Sequence, residues 1–313
     1  MRVLGPDDRL PQGVGSAVTV GNFDGLHRGH LWLLRKLRQG AEGLVTAVVT
    51  FDVHPLHVLR PVSAPKLLTD TAQRLQRLQA SGLVDVCQVL PFDESRRRQS
   101  PEDFVREVLV DRLHARRVMV GSDFRFGNAR SGGVGTLRQL GEKHEYTVVE
   151  TPLLTAGLSR DRQTCCSTYI RRLVVEGQVE RAGLLLDRLH EAKGRVVATS
   201  RPANGRGTPI VVVRVPRDRA LPAEGSYAGA ISAIDGRERA AGISVRPGIT
   251  AGQEALLDLH VIDGAPELMD QNVVVRFRRR LWSSSPSDLF AQVGEQDVAR
   301  GRASADGGWG SVM

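Results

Sequence analysis

The sequence predicts an α/β protein in which a doubly wound parallel sheet is followed by a small antiparallel β-barrel. Three observations predict it. Between residues 16 and 153, short β-branched runs alternate with longer stretches of helical periodicity, the pattern of a parallel sheet covered by helices. Beyond Gly194 the texture changes to Val-rich runs separated by Gly and Pro, the pattern of a small barrel. The length of 313 residues accommodates two ordinary cores. The expected division is residues 1–188, residues 189–300 and a tail, 301–313, whose Gly, Ser and Ala content predicts disorder.

Taken in order, Ala17-Val18-Thr19-Val20 reads as the first strand. A helix over His27–Arg38 follows, with Leu31, Leu33, Leu34 and Leu37 on one side. Leu44–Phe51 is a strand, Thr69–Ala80 a helix and Val84–Leu90 a strand. Ser100-Pro101-Glu102-Asp103 is a helix start: Ser caps, Pro occupies the first helical position where its missing N–H costs nothing, and two acids meet the positive end of the dipole. That helix is expected to reach about Leu113. A strand at Arg117–Gly121, a helix near Thr136–Lys143 and a strand at Tyr146–Glu150 complete the alternation. The helical segment Ser167–Asp187 leads into barrel strands at Val211–Val215, Ala228–Ile234, Leu257–Ile262 and Val273–Arg278, closed by a helix at about Ser285–Gln296.

Composition narrows the function classes. Hydrophobic residues make up 41% and charged residues 25%, the balance of an ordinary folded protein. No stretch has the roughly 18 apolar residues of a membrane span, and Met1–Asp8 lacks the apolar core of a signal peptide, so the expected compartment is the cytoplasm. The odd set Cys87, Cys165 and Cys166 reads as reduced thiols and has no zinc spacing. The net charge of +8 is dispersed in short runs such as Arg96-Arg97-Arg98, the habit of solvated faces, so no nucleic-acid partner and no membrane partner is expected. A phosphate-rich small molecule suits the charge equally well, and a homo-oligomer is left open.

The segment from Gly21 to His30 (Gly-Asn-Phe-Asp-Gly-Leu-His-Arg-Gly-His) is the most informative in the chain. It leaves the first strand and enters the first helix, where backbone N–H groups favour anions. His27 and His30, separated by two residues on the first turn, project the same way and can hold phosphates. Gly29 between them leaves room for a nucleotide against the helix backbone, and Gly21 and Gly25 permit the turn. An isolated His on a helix is ordinarily structural, and the whole constellation is what points to phosphate chemistry. Without a P-loop Gly-Lys-Ser/Thr or an acyl nucleophile, it suits direct attack by an acceptor phosphate on the α-phosphorus of a nucleotide, catalysed by positioning and charge.

Three further segments join this motif: Thr50-Phe51-Asp52-Val53-His54-Pro55, Gly121-Ser122-Asp123-Phe124-Arg125-Phe126-Gly127 and Cys166-Ser167-Thr168-Tyr169-Ile170-Arg171. In order and spacing the chain resembles the bacterial bifunctional riboflavin kinase/FMN adenylyltransferases, the FAD synthetases, over nearly its whole length. The resemblance implies a nucleotidyltransferase first domain that makes FAD from FMN and ATP, with Mg²⁺ brought by the nucleotide and no confident metal ligand among the side chains. It implies catalytic roles for His27, His30, Ser167, Thr168 and Arg171, and nucleotide contacts around Gly21, Asn22, Phe23, Asp24, Gly25, Gly29 and Asp123. Phe51, His54, Phe124, Arg125 and Phe126 would lie on the flavin side, although the rings of Phe124 and Phe126 by themselves read as core. Asp52 and Val53 depart from the family's Glu and Pro.

The second half departs further. Aligned without a gap, the family's metal-holding Thr and Asn fall on Ile210 and Val212, within Gly207–Val212, and neither offers the oxygen a hard cation needs. Arg246-Pro247-Gly248 stands where the family has Asn-Pro-Thr, and Asp258 where it has the catalytic Glu, its carboxylate roughly 1–1.5 Å short. The barrel is expected to fold and to have lost riboflavin kinase activity. The sequence is compatible with three functions: an FMN adenylyltransferase, a paralogue acting on another phosphorylated acceptor, and a non-catalytic flavin or nucleotide regulator. A class I aminoacyl-tRNA synthetase would need a Lys-Met-Ser-Lys-Ser-like loop, which is not visible.

Overall fold

The computed structural model describes residues 1–156, 163–200, 208–233, 236–246, 254–262 and 268–281. The chain divides into two compact units, Met1–Pro65 with Thr69–Ser167, and Lys66–Leu68 with the chain from Thr168 onward.

The first unit is built on six parallel strands: β1 (Arg2–Leu4), β2 (Ser16–Val20), β3 (Val45–Phe51), β4 (Val86–Leu90), β5 (Ala115–Gly121) and β6 (Thr147–Thr151). They lie in the order β1-β4-β3-β2-β5-β6. The helices are α1 (Arg28–Gln39), the short α2 (Pro55–Leu59), α3 (Thr71–Ala80), the short α4 (Glu94–Arg98), α5 (Pro101–Phe104) and α6 (Val134–His144). Side-chain alternation divides the sheet's two faces. Val18, Val20, Ala47, Val49, Val86, Val118 and Val120 pack with Val105, Leu109, Leu137 and Leu140 on one face. Ala17, Val48, Cys87 and Met119 pack with Leu34 and Leu37 of α1 and Leu78 of α3 on the other. Each fully buried Leu contributes about 1.5–3 kcal/mol by leaving water. A strand buried on both faces is largely apolar and carries no charge, and β2 and β3 are Val- and Ala-rich, with the buried Ser16, Thr19, Thr46 and Thr50 as their polar positions.

Two elements differ from expectation. β1 was read from the sequence only as a non-signal terminus, yet it pairs in parallel with β4 at the sheet edge. The helix after Ser100 starts as expected, with Ser100 Oγ accepting from Asp103 N–H at 3.0 Å, but continues as a π-helix over Val105–Arg112. Glu107 pairs there with Arg112, five residues on, at 2.6 Å, the spacing of a π turn.

The second unit contains α7 (Ser167–Val175, its first residue belonging to the other unit), α8 (Val179–Leu186) and a closed antiparallel barrel. Its strands are β9 (His190–Ser200), β10 (Ile210–Val215), β11 (Gly225–Ser232), β12 (Glu238–Val245), β13 (Ala255–Val261) and β14 (Asn272–Leu281), ordered β10-β13-β12-β11-β14-β9. A short antiparallel pair, β7 (Thr155–Ala156) with β8 (Gln163–Thr164), precedes α7. The expected boundary at 188 is displaced to 167/168 because α8 belongs with the barrel: Val179 joins its core, and Arg280 N–H donates to Glu180 at 3.2 Å. Lys66–Leu68 also joins this unit, since Leu67 exchanges backbone hydrogen bonds with Asp218 and Ala220 at 2.6 and 2.8 Å. The helix expected at Ser285–Gln296 and the tail 301–313 lie outside the described residues. No helix among the described residues is long and apolar enough to cross a membrane.

Candidate active site

The strand order fixes where a ligand belongs. From β2 the chain proceeds to β3 and β4 on one side, while β5 and β6 lie on the other, so β2 and β5 flank the topological switch point. A crevice opens outside the carboxyl ends of strands at such a point. Both long motifs leave there, Gly21–His30 from β2 and Gly121–Gly127 from β5. A cavity of about 350 Å³ lined by Gly13, His114, Arg116 and His144 lies instead at the amino ends of these strands, away from the motifs.

The first motif is a strained turn. Phe23, Gly25 and Leu26 have φ of 50°, 81° and 36°, and only the glycine adopts such a conformation without penalty. Burial holds the others. Phe23 and Leu26 are packed into the core beneath α1, and Asp24 is 2% exposed. Asp24 accepts from the amide of Thr69 at 2.9 Å and from its hydroxyl at 3.0 Å, while its carbonyl accepts from the Ser167 hydroxyl at 2.8 Å. Phe23 and Asp24, expected as nucleotide contacts, are thus shaped for holding the turn. Gly21 contributes room for the Phe23 ring, to which a Cβ would stand 3.2 Å away.

His27 is the N-cap of α1, and its Nδ1 accepts from the amide of His30 at 3.3 Å. That bond requires Nδ1 to be unprotonated, so in the neutral ring the proton is on Nε2, which is a donor. The rings of His27 and His30 stack with centroids 3.7 Å apart and planes 19° from parallel. Phe23 flanks His30 at 5.0 Å. The first turn of α1 carries no acidic side chain, and the positive end of its dipole favours an anion. Gly29 corrects an expectation: a Cβ there would fall 2.6 Å from the carbonyl oxygen of Cys165 and 3.1 Å from the His27 ring. Its space is filled by the chain itself, which brings the segment before Ser167 onto the helix backbone. Cys165 Sγ lies 3.8 Å from His27 Nδ1, and burial raises its thiol pKa.

The loop after β3 is tied to the loop after β2. His54 caps α2 by accepting from Leu56 N–H at 3.2 Å, which places its proton on Nε2. Nε2 lies 3.4 Å from Nδ2 of the Asn22 carboxamide. Arg74 was not singled out in the sequence. Its buried guanidinium donates to the carbonyls of Asn22, at 3.0 Å, and of Phe51, so it bridges the ends of β2 and β3. Burial lowers its pKa, opposed first by the charge of Asp24. No local pattern marks Arg74, because its partners lie 52 and 23 residues away. Phe51 meets Phe92 edge-on at 5.3 Å. After β5, Asp123 and Arg125 are exposed and Phe124 half-buried, stacked on Phe126 at 5.4 Å. Phe126 itself is buried in the core, packed with Phe104.

In the second unit, Thr168 is exposed at the start of α7 and Arg171 half-buried one turn on. Ile210 and Val212 lie on β10, with Val212 opposite Asp258 of β13. Both carboxylate oxygens of Asp258 are held by Arg246, at 2.5 Å each. That bond raises the Arg246 pKa. Gly207, Pro247 and Gly248 lie outside the described residues.

A parallel sheet with a stacked histidine pair on the helix at its switch point defines a nucleotide-handling α/β protein of the nucleotidyltransferase class. Residues 11–168 match the family described as FAD synthetase. The chain belongs to that family. It is 33% identical over 284 residues, covering 89% of this chain and 88% of the other, to a bifunctional riboflavin kinase/FMN adenylyltransferase of Pseudomonas fluorescens. A protein of the same description from Escherichia coli K12 is 28% identical, with 91% of each chain covered. The fold is that of a crystal structure of a macrolide-efflux protein from Streptococcus pneumoniae, with a TM-score of 0.74 at 23% identity, covering 97% of this chain and 98% of that one.

Proposed function

We infer that the chain is an FMN adenylyltransferase, and that the residues gathered at the β2 switch point carry its chemistry. An oxygen of the FMN phosphate attacks the α-phosphorus of ATP; a P–O bond forms to give FAD, the bond to the β-phosphate bridge breaks, and pyrophosphate leaves. The stacked pair of His27 and His30 at the start of α1 is the observation that carries this reading, because the Nε2–H of His27 and the helix dipole both favour the charge that moves onto the leaving phosphates. Asn22, Gly25 and Gly29 act through the backbone path of the turn. Ser167 supplies a hydroxyl to the nucleotide, and Asp123, Phe51, His54, Phe124 and Arg125 border the flavin. Mg²⁺ enters with the nucleotide, held by its phosphate oxygens, which suit a hard cation. The compartment we propose is the cytoplasm, where ATP and FMN are available as substrates.

Full-length protein incubated with FMN, ATP and Mg²⁺ is expected to release FAD and pyrophosphate in equal amounts. Turnover of a different phosphate ester with no FAD contradicts the reading.

The barrel is proposed to lack riboflavin kinase activity. Ile210 and Val212 offer methyl groups where a cation needs oxygen, and Arg246 occupies both oxygens of Asp258. A carboxylate neutralised in a bidentate pair is a poor general base. Riboflavin with ATP and Mg²⁺ is expected to yield no FMN above background, and Arg246→Asn alone is expected to restore none, because the methyl groups remain. Robust FMN formation by the unaltered protein overturns this.

A further inference from the structure

Thr69 reads from the sequence as the first residue of a helix, but Asp70 caps that helix through a reciprocal pair with Gln73. Thr69 turns the other way, into the strained turn. Its hydroxyl donates to Oδ1 of Asp24 at 3.0 Å and accepts the amide hydrogen of Gly25 at 2.9 Å, while its own amide donates to the same Oδ1 at 2.9 Å. Thr69 and Asp24 are each 2% exposed, so water does not compete for these bonds.

The location of this contact matters more than its number of bonds. Positive-φ residues flank it, at Phe23, Gly25 and Leu26, and such conformations persist only where the surroundings over-determine them. Gly25 precedes His27 by two residues, and Asp24 also carries the Ser167 hydroxyl on its carbonyl. One hydroxyl therefore fixes the residue that receives Ser167 and the residue that sets the path to the histidine pair.

We propose that Thr69 is a positioning residue of the nucleotide site, whose hydroxyl latches Asp24 to Gly25 and thereby sets where His27 and His30 meet the phosphates of the nucleotide. The proposal rests on the adenylyltransferase reading. A loosened latch displaces phosphate donors and leaves the flavin side untouched, so it raises KM for ATP and lowers kcat while KM for FMN stays constant. A merely structural role reduces the amount of active protein, which lowers apparent kcat and moves neither KM.

The test uses the full chain with Thr69→Ser, Thr69→Cys and Thr69→Val. Ser keeps the hydroxyl, Cys replaces it with a weak donor, and Val keeps the shape without the bonds. Thr69→Ser is expected to stay within ~3-fold of the unaltered protein. Thr69→Val is expected to lose ~100-fold in kcat/KM for ATP, the scale of an ångström-sized misplacement, with KM for FMN within about twofold. Thr69→Cys should fall between them. A folded Val variant with kcat and KM for ATP within about twofold of the unaltered protein overturns the proposal, as does a loss confined to kcat. If the Val variant does not fold, Cys against Ser decides, and equal values for those two overturn it. Should the unaltered protein bind ATP but make no FAD, the adenylyltransferase reading falls. Calorimetric ATP affinity across the same series then judges the latch, which predicts a Kd rising ~10-fold or more from Ser to the weakest donor that folds, whereas a constant Kd overturns it.

Discussion

His30→Ala is expected to lower FAD formation ~100-fold or more while leaving the fold intact. The imidazole is the group lost; the amide of His30, which binds the His27 side chain at the helix cap, is retained. Removal of one preorganised donor to developing phosphate charge has an effect of this order, ~2.7–4 kcal/mol in the barrier. His27→Ala differs in kind, because it also removes the cap and costs about 1 kcal/mol of stability. Steady-state kinetics and thermal unfolding on both variants separate the two effects. Activity within tenfold of the unaltered enzyme in a folded His30→Ala protein contradicts the assignment.

Gly29→Ala is expected to be equally severe for a different reason. The added methyl would meet the Cys165 carbonyl at 2.6 Å, and a backbone oxygen cannot step aside by changing rotamer. Either α1 or the segment carrying Ser167 must shift, so the histidines and the Ser167 hydroxyl lose their mutual register. Strain of this kind costs about 1–3 kcal/mol, and an ångström of displacement in a preorganised site costs ~100-fold in rate. Gly135→Ala on α6 is the control, since a Cβ there meets nothing within 4 Å. That change is expected to be neutral or to stabilise by up to about 1 kcal/mol through helix propensity. Urea midpoints and kcat for the two variants check the contrast, and a fully active Gly29→Ala protein would show that Cys165 does not constrain the site.

What the sequence revealed and what it concealed follow from the range of the interactions. The strands β2 and β3 were legible because both faces are buried and their sequences are uncharged and rich in Val and Thr. The Ser100 cap was legible because its partners lie within three residues. The π-helical continuation was not, since Glu107 and Arg112 read equally well on an ordinary helix. In the barrel, β12 was missed because Ala240, Ala241 and Gly242 carry no β-branched signature, and their place in the sheet is decided by β11 and β13 on either side. The histidine pair was legible as a local motif, whereas the buried groups that hold it were not. Thr69 reaches Asp24 across 45 residues, and Arg74 spans two strand ends. The reciprocal cap between Asp70 and Gln73 was a local signal that could have excluded Thr69 from the helix and marked it as available for another purpose.

The chain is proposed to transfer the AMP part of ATP to FMN at the β2 switch point and to transfer no γ-phosphate to riboflavin. The most direct measurement supplies ATP labelled at either the α- or the γ-phosphorus, with FMN or riboflavin as the acceptor, and follows the label into flavin. Expected are α-label in FAD when FMN is given, γ-label only in pyrophosphate, and no label in any flavin when riboflavin is given. Appearance of γ-label in FMN, or absence of α-label from FAD with FMN supplied, contradicts this proposal.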